Sequence, residues 1–384
     1  MQRSLIDRWL FAAFFLLVFI GVIMVYSASV YYAEMTRHSA LYYLLRHLLA
    51  LLIGVILGVG FYSFPYRHLK TVAPVFLWAG LLLLVYLAFV ARSRWVFLGP
   101  LHFQGVDVAR FGLIIFLAAS LSRKEDRLQD FHEGVFPHVV YLALFAGLTV
   151  LQPDFSSGML ILLIGFTMLF VAPVQIKHLA AVVGATIPLA VGVVLTSPYK
   201  LARVMALLKM EEDKLGTGYQ VSRSLVSLGS GGLFGVGFTE SKLKLFYLPE
   251  AHTDFIFSII GEEWGLMGTL FVLALFFIIM VRGLRIANRA TDRFAFYLSI
   301  GITANFIWYA LINMMVTLRL APPTGLPLPF ISYGGTALII NCAFAGLLLG
   351  IHRQLEEVPA PRRKPVVRQT LPLNRKYATR RMYR

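Results

Sequence analysis

Apolar residues gather into ten runs along the chain, near 9–30, 41–62, 72–91, 106–121, 138–152, 157–173, 178–197, 254–281, 294–318 and 331–351. Most approach the roughly 20 residues a helix needs to cross hydrocarbon. The pattern predicts an all-α polytopic membrane protein with about ten transmembrane helices. The fifth and sixth runs are parted only by Gln152-Pro-Asp-Phe155, which predicts a tight turn near one membrane face. The first run, Trp9 to Val30, is too long for a signal-peptide core and reads as a retained span.

Between spans seven and eight lies the one long interruption, about 198–253. Leu201–Leu208 reads there as an amphipathic interfacial helix, and a second helical piece is predicted over 219–228. The glycine-rich stretch Gly229–Gly237 follows it, either as a flexible or closely packed loop or as a backbone surface against a phosphate. Lys and Arg concentrate in alternate loops, including Arg67, Lys70, Arg123, Lys124, Arg282 and Arg285. The positive-inside rule then puts both termini in the cytoplasm and the 198–253 loop outside. The expected organisation is a membrane domain over 1–352 and a basic cytoplasmic tail over 353–384. With ten cations and few large apolar residues, the tail is expected to be disordered on the inner leaflet.

Composition agrees: 58% of the 384 residues are hydrophobic and only 14% are charged. An average soluble domain carries roughly 25% charged residues. The net charge of +16 would suggest nucleic acid in a soluble protein, but here the cations serve orientation and anionic lipid, so no nucleic-acid partner is expected. The lone Cys342 excludes an internal disulfide or a cysteine-rich metal site and reads as packing. No G-x-x-x-x-G-K-[ST], H-E-x-x-H or G-x-S-x-G occurs, so any reaction draws its driving force from the substrate itself.

Ionisable residues beside apolar runs are functional candidates, because lipid makes them expensive. Asp107 and Arg110 stand three apart on one face of the fourth span, which suits a structural ion pair. Asp154, after Pro153 and before Ser156 and Ser157, suits a helix cap or a site residue. Glu262 and Glu263 lie deeper in span eight and read as polar packing or cavity lining rather than the reacting group. Asp254 stands where the outer loop becomes span eight, wet enough for a polar substrate yet flanked by Phe255, Ile256 and Phe257. It is either a general base or, with Thr253, a helix cap. Lys242 and Lys244 stand just before it and Arg203 earlier in the same loop, and an acid among cations suits a pyrophosphate-bearing lipid substrate or, equally, an anion or lipid transporter.

Leu248-Pro-Glu-Ala-His-Thr-Asp-Phe-Ile256, Gly261-Glu-Glu-Trp-Gly265 and Gly325-Leu-Pro-Leu-Pro-Phe-Ile-Ser-Tyr-Gly-Gly335 together resemble the SEDS family (shape, elongation, division and sporulation). Gly218-Tyr-Gln220 with Ser224, Gly229-Ser-Gly-Gly232, Gln152-Pro-Asp154 and Arg94-Trp95 fit the same pattern in family order. Length and the modest tail look more like the elongation type, RodA, than the division type. The resemblance implies a peptidoglycan glycosyltransferase of the plasma membrane that polymerises lipid II into a nascent glycan strand on the extracytoplasmic side. It implies a class B penicillin-binding protein and other elongation-complex proteins as partners. No cofactor is identified by the sequence, a divalent cation (Mg²⁺ or Mn²⁺) being the one candidate, and no metal-ligating residues are assigned. Asp254 matches the family's essential aspartate and Glu250 its acid just before it. Glu250, Lys242, Arg203, Arg94 and Trp95 are the expected substrate contacts. A lipid II flippase is the alternative, served by the same lipid-facing cavity. Two departures stand out. The family's Glu and Lys in span four are here Asp107 and Arg110, and Arg319 replaces a usual glycine.

Overall fold

The computed structural model describes residues 6–98, 101–208, 217–244 and 251–357. Twelve α-helices and one β-hairpin make up its regular structure. In chain order they are α1 (Arg8–Arg37), α2 (Tyr42–Ser63), α3 (Tyr66–Val85, running on as π turns to Ala91), β1 (Trp95–Leu98), β2 (Leu101–Gln104) and α4 (Gly105–Arg123). Then come α5 (Phe136–Leu151, continuing π turns that begin at Phe131), α6 (Phe155–Val171), α7 (Ile176–Leu195), α8 (Pro198–Leu208), α9 (Thr217–Ser230), α10 (Ile256–Arg289), α11 (Arg293–Thr317) and α12 (Gly335–Glu357). Among the described residues nine helices are long and apolar enough to cross a membrane, and α6 is a shorter apolar tenth. The ten apolar runs therefore coincide with ten helices. Glu250 lies outside the described residues, as does the tail beyond residue 357.

Cap residues set several helix ends. Asp7 accepts from the Leu10 N–H at 3.1 Å and opens α1. Asp292 accepts from the Ala295 N–H at 2.9 Å and opens α11, satisfying donors that a helix start leaves unpaired. Both acids also tie elements together, Asp7 to Arg282 of α10 and Asp292 to the Tyr66 hydroxyl at 2.6 Å.

Helices α4, α11 and α12 form the centre and α7 hangs at the edge. In its most apolar stretch α12 is 89% buried and α7 only 11%. The close partners are α2 with α12, α3 with α4, and α1 and α11 with α10. Small residues allow the α2–α12 approach. A Cβ on Gly58 would come 2.8 Å from the Cys342 carbonyl oxygen, and one on Gly54 would come 3.1 Å from Cys342 Sγ. Without a hydrophobic force between helices in lipid, such close backbone packing holds them together. Cys342 is accordingly a buried free thiol at this seam. Outward faces are apolar, as where Phe11, Phe15 and Phe19 stack along α1 and stand more than half exposed.

Helix α10 is broken at Gly265 (φ 68°, ψ −163°). A continuous helix would join the N–H groups of Leu266 and Met267 to the carbonyls of Glu262 and Glu263. The glycine-rich loop after α9 supplies all four partners instead. Leu266 and Met267 donate to Gly232 and Leu233 at 2.9 and 3.2 Å, while Glu262 and Glu263 accept from Val236 and Gly237 at 2.9 and 3.2 Å. The loop is thus a closely packed plug, and its Val236 and Gly237 amides are spent on α10 rather than open to a phosphate.

Candidate functional site

One cavity of about 1030 Å³ collects most of the candidate residues. Its wall comes from the segment before α10 (Thr253, Asp254), the α5–α6 turn (Asp154), the base of the hairpin (Arg94, Trp95, Gln104), α8 (Lys200, Arg203) and the 321–327 strap. Val194 and Ser197 at the end of α7 and Ile312 of α11 complete it, so spans seven to nine all contribute.

Asp254 is half-buried. Its backbone carbonyl accepts from Asn313 Nδ2 at 2.8 Å. Opposite its carboxylate lies Gly325, with φ 76°, where a Cβ would stand 3.6 Å from Asp254 Oδ2. Two residues earlier, the His252 carbonyl accepts from the Tyr333 N–H at 3.0 Å. Tyr333 itself lines the cavity. Burial pushes its phenol up, and Arg46 beside it pulls the other way.

Three cations share the wall with this carboxylate. Arg203 donates to the Pro323 carbonyl at 3.1 Å, Lys200 lies 5.5 Å above the Phe155 ring, and Arg94 lies 5.8 Å from the Trp95 ring. The hairpin pairs Trp95 with Gln104 and so brings Arg94 and Trp95 beside the start of α4. Lys200 had no signal in the sequence beyond its place at the head of an amphipathic helix. The hairpin also went unpredicted, because its strands are only four residues long.

Lys242, expected to contact substrate, is not among the residues that line the cavity. Glu262 Oε1 accepts from the Lys242 backbone N–H at 2.9 Å, and Glu262 Oε2 accepts from Ser241 Oγ at 2.7 Å and Ser227 Oγ at 2.8 Å. The segment is pinned to α10 with the Lys242 side chain exposed. Lys244 is also turned away, paired with Glu263 at 2.8 Å with both side chains buried. Glu262 and Glu263 are therefore packing groups for the plug and the loop.

Asp107 and Arg110 form a buried pair at 2.9 Å, both side chains 1% exposed. The other arm of the guanidinium donates to the Tyr309 hydroxyl at 2.9 Å, and that hydroxyl donates to Asp107 Oδ1 at 3.2 Å. Asp154 caps α6, accepting from Ser157 N–H at 3.1 Å and Ser157 Oγ at 2.9 Å, and accepts Gln104 Nε2 at 2.8 Å. Both acids reach the cavity wall, yet both already work in structure. That leaves Asp254 as the carboxylate best placed for chemistry. Among the described residues no group of three or more His, Cys, Asp or Glu side chains is gathered as metal ligands.

With this geometry in hand, the kinship is clear. Residues 7–357 match the model of the cell cycle protein family of FtsW, RodA and SpoVE. The chain belongs to this family, the SEDS proteins. It is 37% identical over 346 residues to the probable peptidoglycan glycosyltransferase FtsW of Trichlorobacter lovleyi, covering 88% of this chain and 91% of that one. It is 35% identical over 364 residues to the FtsW of Legionella pneumophila, covering 91% and 92%. A solved peptidoglycan synthase complex that coordinates polymerization and crosslinking has a chain of the same fold, with TM-score 0.74, 28% identity and coverage of 91% and 98%. Thermus thermophilus RodA gives TM-score 0.66 at 26% identity, covering 91% and 97%. The SEDS fold, its multi-pass membrane character and its helices are thus those expected from the motifs. Relatives named FtsW align along nearly their whole length, so chain length does not separate the division from the elongation type.

Proposed function

We propose that this SEDS protein is a peptidoglycan glycosyltransferase that polymerises lipid II at the extracytoplasmic face, with Asp254 as general base. The observation that carries the reading is the Asp254 carboxylate sharing the wall of an approximately 1030 Å³ cavity with Arg94, Lys200 and Arg203. In the proposed reaction the growing glycan on its lipid pyrophosphate is the donor. The 4-hydroxyl of incoming lipid II gives its proton to Asp254, and its oxygen bonds to the anomeric carbon of the donor. The bond from that carbon to the phosphate oxygen breaks, and the pyrophosphate leaves with the electron pair. Arg94, Lys200 and Arg203 offset its charge, and Trp95 offers a flat apolar surface to a sugar ring. No nucleotide is needed, because the glycosyl pyrophosphate is already activated. Among the described residues no group of three or more His, Cys, Asp or Glu side chains could hold a metal ion, and no step is routed through a cation.

A class B penicillin-binding protein is the proposed partner, supported by the likeness to the synthase complex in which polymerization and crosslinking are coordinated. This chemistry is common to the elongation and division types. General-base help is worth about 10²–10⁴ in rate. Purified Asp254→Ala, given lipid II in proteoliposomes, is expected to lose polymer formation by at least about 100-fold while folding normally. Polymer at the wild-type rate overturns the assignment. Scrambling of fluorescent lipid II by the wild-type protein without any polymer replaces it with the flippase reading.

A further inference from the structure

We infer that Asn313 is a positioning residue for the reaction, fixing the Asp254 carboxylate against the far wall of the cavity. The inference rests on the proposed role of Asp254. Asn313 lies on α11 and is 1% exposed. Its amide nitrogen donates both hydrogens, one to the Asp254 carbonyl at 2.8 Å and one to the Leu326 carbonyl at 2.8 Å. Leu326 follows Gly325, the residue that faces Asp254 Oδ2. One side chain therefore ties together the residue that carries the acid and the strap opposite it. The second tether, Tyr333 N–H to the His252 carbonyl, holds the same segment two residues earlier. Without Asn313, Asp254 would pivot about it.

The side-chain type matters. A carboxamide is the only short uncharged side chain with two N–H donors. Aspartate has the same shape but would turn acceptors toward two carbonyl oxygens. Asn313 is absent from the cavity wall, so it acts through Asp254 rather than on the substrate. Misplacing a reacting group by about 1 Å can cost about 100-fold in rate.

The test is steady-state polymerisation of purified lipid II by full-length Asn313→Asp and Asn313→Ala. Asn305→Ala is the control. Asn305 is a buried amide two turns earlier on α11, and it donates to Asn341 at 3.4 Å. Both Asn313 variants are expected to lose about 10- to 100-fold in kcat with KM held within roughly threefold, while the control keeps its kcat within roughly threefold. Wild-type kcat in Asn313→Asp, a rise in KM alone, or an equal loss in the control overturns the inference. If Asn313→Asp does not purify as a monodisperse protein, Asn313→Ser, which keeps one donor, must show the rate loss instead. Asp254→Ala in the same series separates the two claims. If it polymerises, the proposed function falls. If it is inert while the Asn313 variants match wild type, only this inference falls.

Discussion

Replacing Gly265 with alanine asks whether the plug and the break in α10 are one device. Gly265 has φ 68° and ψ −163°, a region open essentially to glycine alone, and an alanine held there costs about 1–3 kcal/mol. Its Cβ would also stand 2.4 Å from the Gly235 nitrogen and 2.6 Å from the Leu233 carbonyl. That overlap adds about 1–3 kcal/mol. The chain has an escape. If residue 265 turns helical, Leu266 and Met267 recover Glu262 and Glu263 as acceptors, and α10 becomes continuous. The four hydrogen bonds to 232, 233, 236 and 237 are then lost and the loop is expelled. The strain of about 2–6 kcal/mol therefore falls on the plug rather than on the span. Since about 1.4 kcal/mol is a factor of ten, even 2–4 kcal/mol speeds exchange at the Val236 and Gly237 amides by roughly 30- to 1000-fold. Hydrogen–deuterium exchange in detergent or nanodiscs measures this, with amides deep in α10 as the internal reference. Protection of 236 and 237 unchanged within threefold, or equal loss along all of α10, refutes the reasoning.

Two further outcomes follow from single contacts. Arg110→Met strands a buried carboxylate on Asp107 and should destabilise by about 3–5 kcal/mol in a reversible detergent unfolding assay, most of it recovered by adding Asp107→Asn. A single variant as stable as wild type would show that the pair carries no structural load. Arg319 sits at φ 59° while its Nη2 donates to the Leu207 carbonyl at the end of α8, at 3.0 Å. Arg319→Gly relieves about 1 kcal/mol of backbone strain and loses one hydrogen bond worth about as much. Global stability should hold while amide exchange in α8 rises; unchanged exchange there would show that Arg319 does not latch the helix.

What the sequence reveals follows from how strict each constraint is. Lipid demands an unbroken apolar run for each span, so ten runs foretell ten helices, although their ends drift. The first run stops at Val30 but α1 continues to Arg37, because a helix emerging from hydrocarbon can go on with polar residues. Asp254 is visible for the same reason, since a carboxylate at the edge of an apolar run needs explaining. Lys242 shows where the logic fails. It lies only twelve positions before Asp254, but Glu262, a full twenty residues further on, captures its backbone. Nearness along a loop therefore says nothing about which wall of a cavity a side chain reaches. Lys200 lies more than fifty positions away and shares that cavity through the placement of α8. Asn313 escapes notice for a related reason, because an amide inside an apolar run looks like packing until both its hydrogens have addresses. The glycines of 229–237 and Gly265 are the intermediate case. The first were readable as a loop and Gly265 only as the end of a motif, and the fold alone shows that they are two halves of one device: a helix can break inside a membrane here because a second segment supplies the partners that water cannot. A helix–loop pair of this kind should change by joint substitution more readily than by single ones, since each half alone leaves two donors and two acceptors unserved.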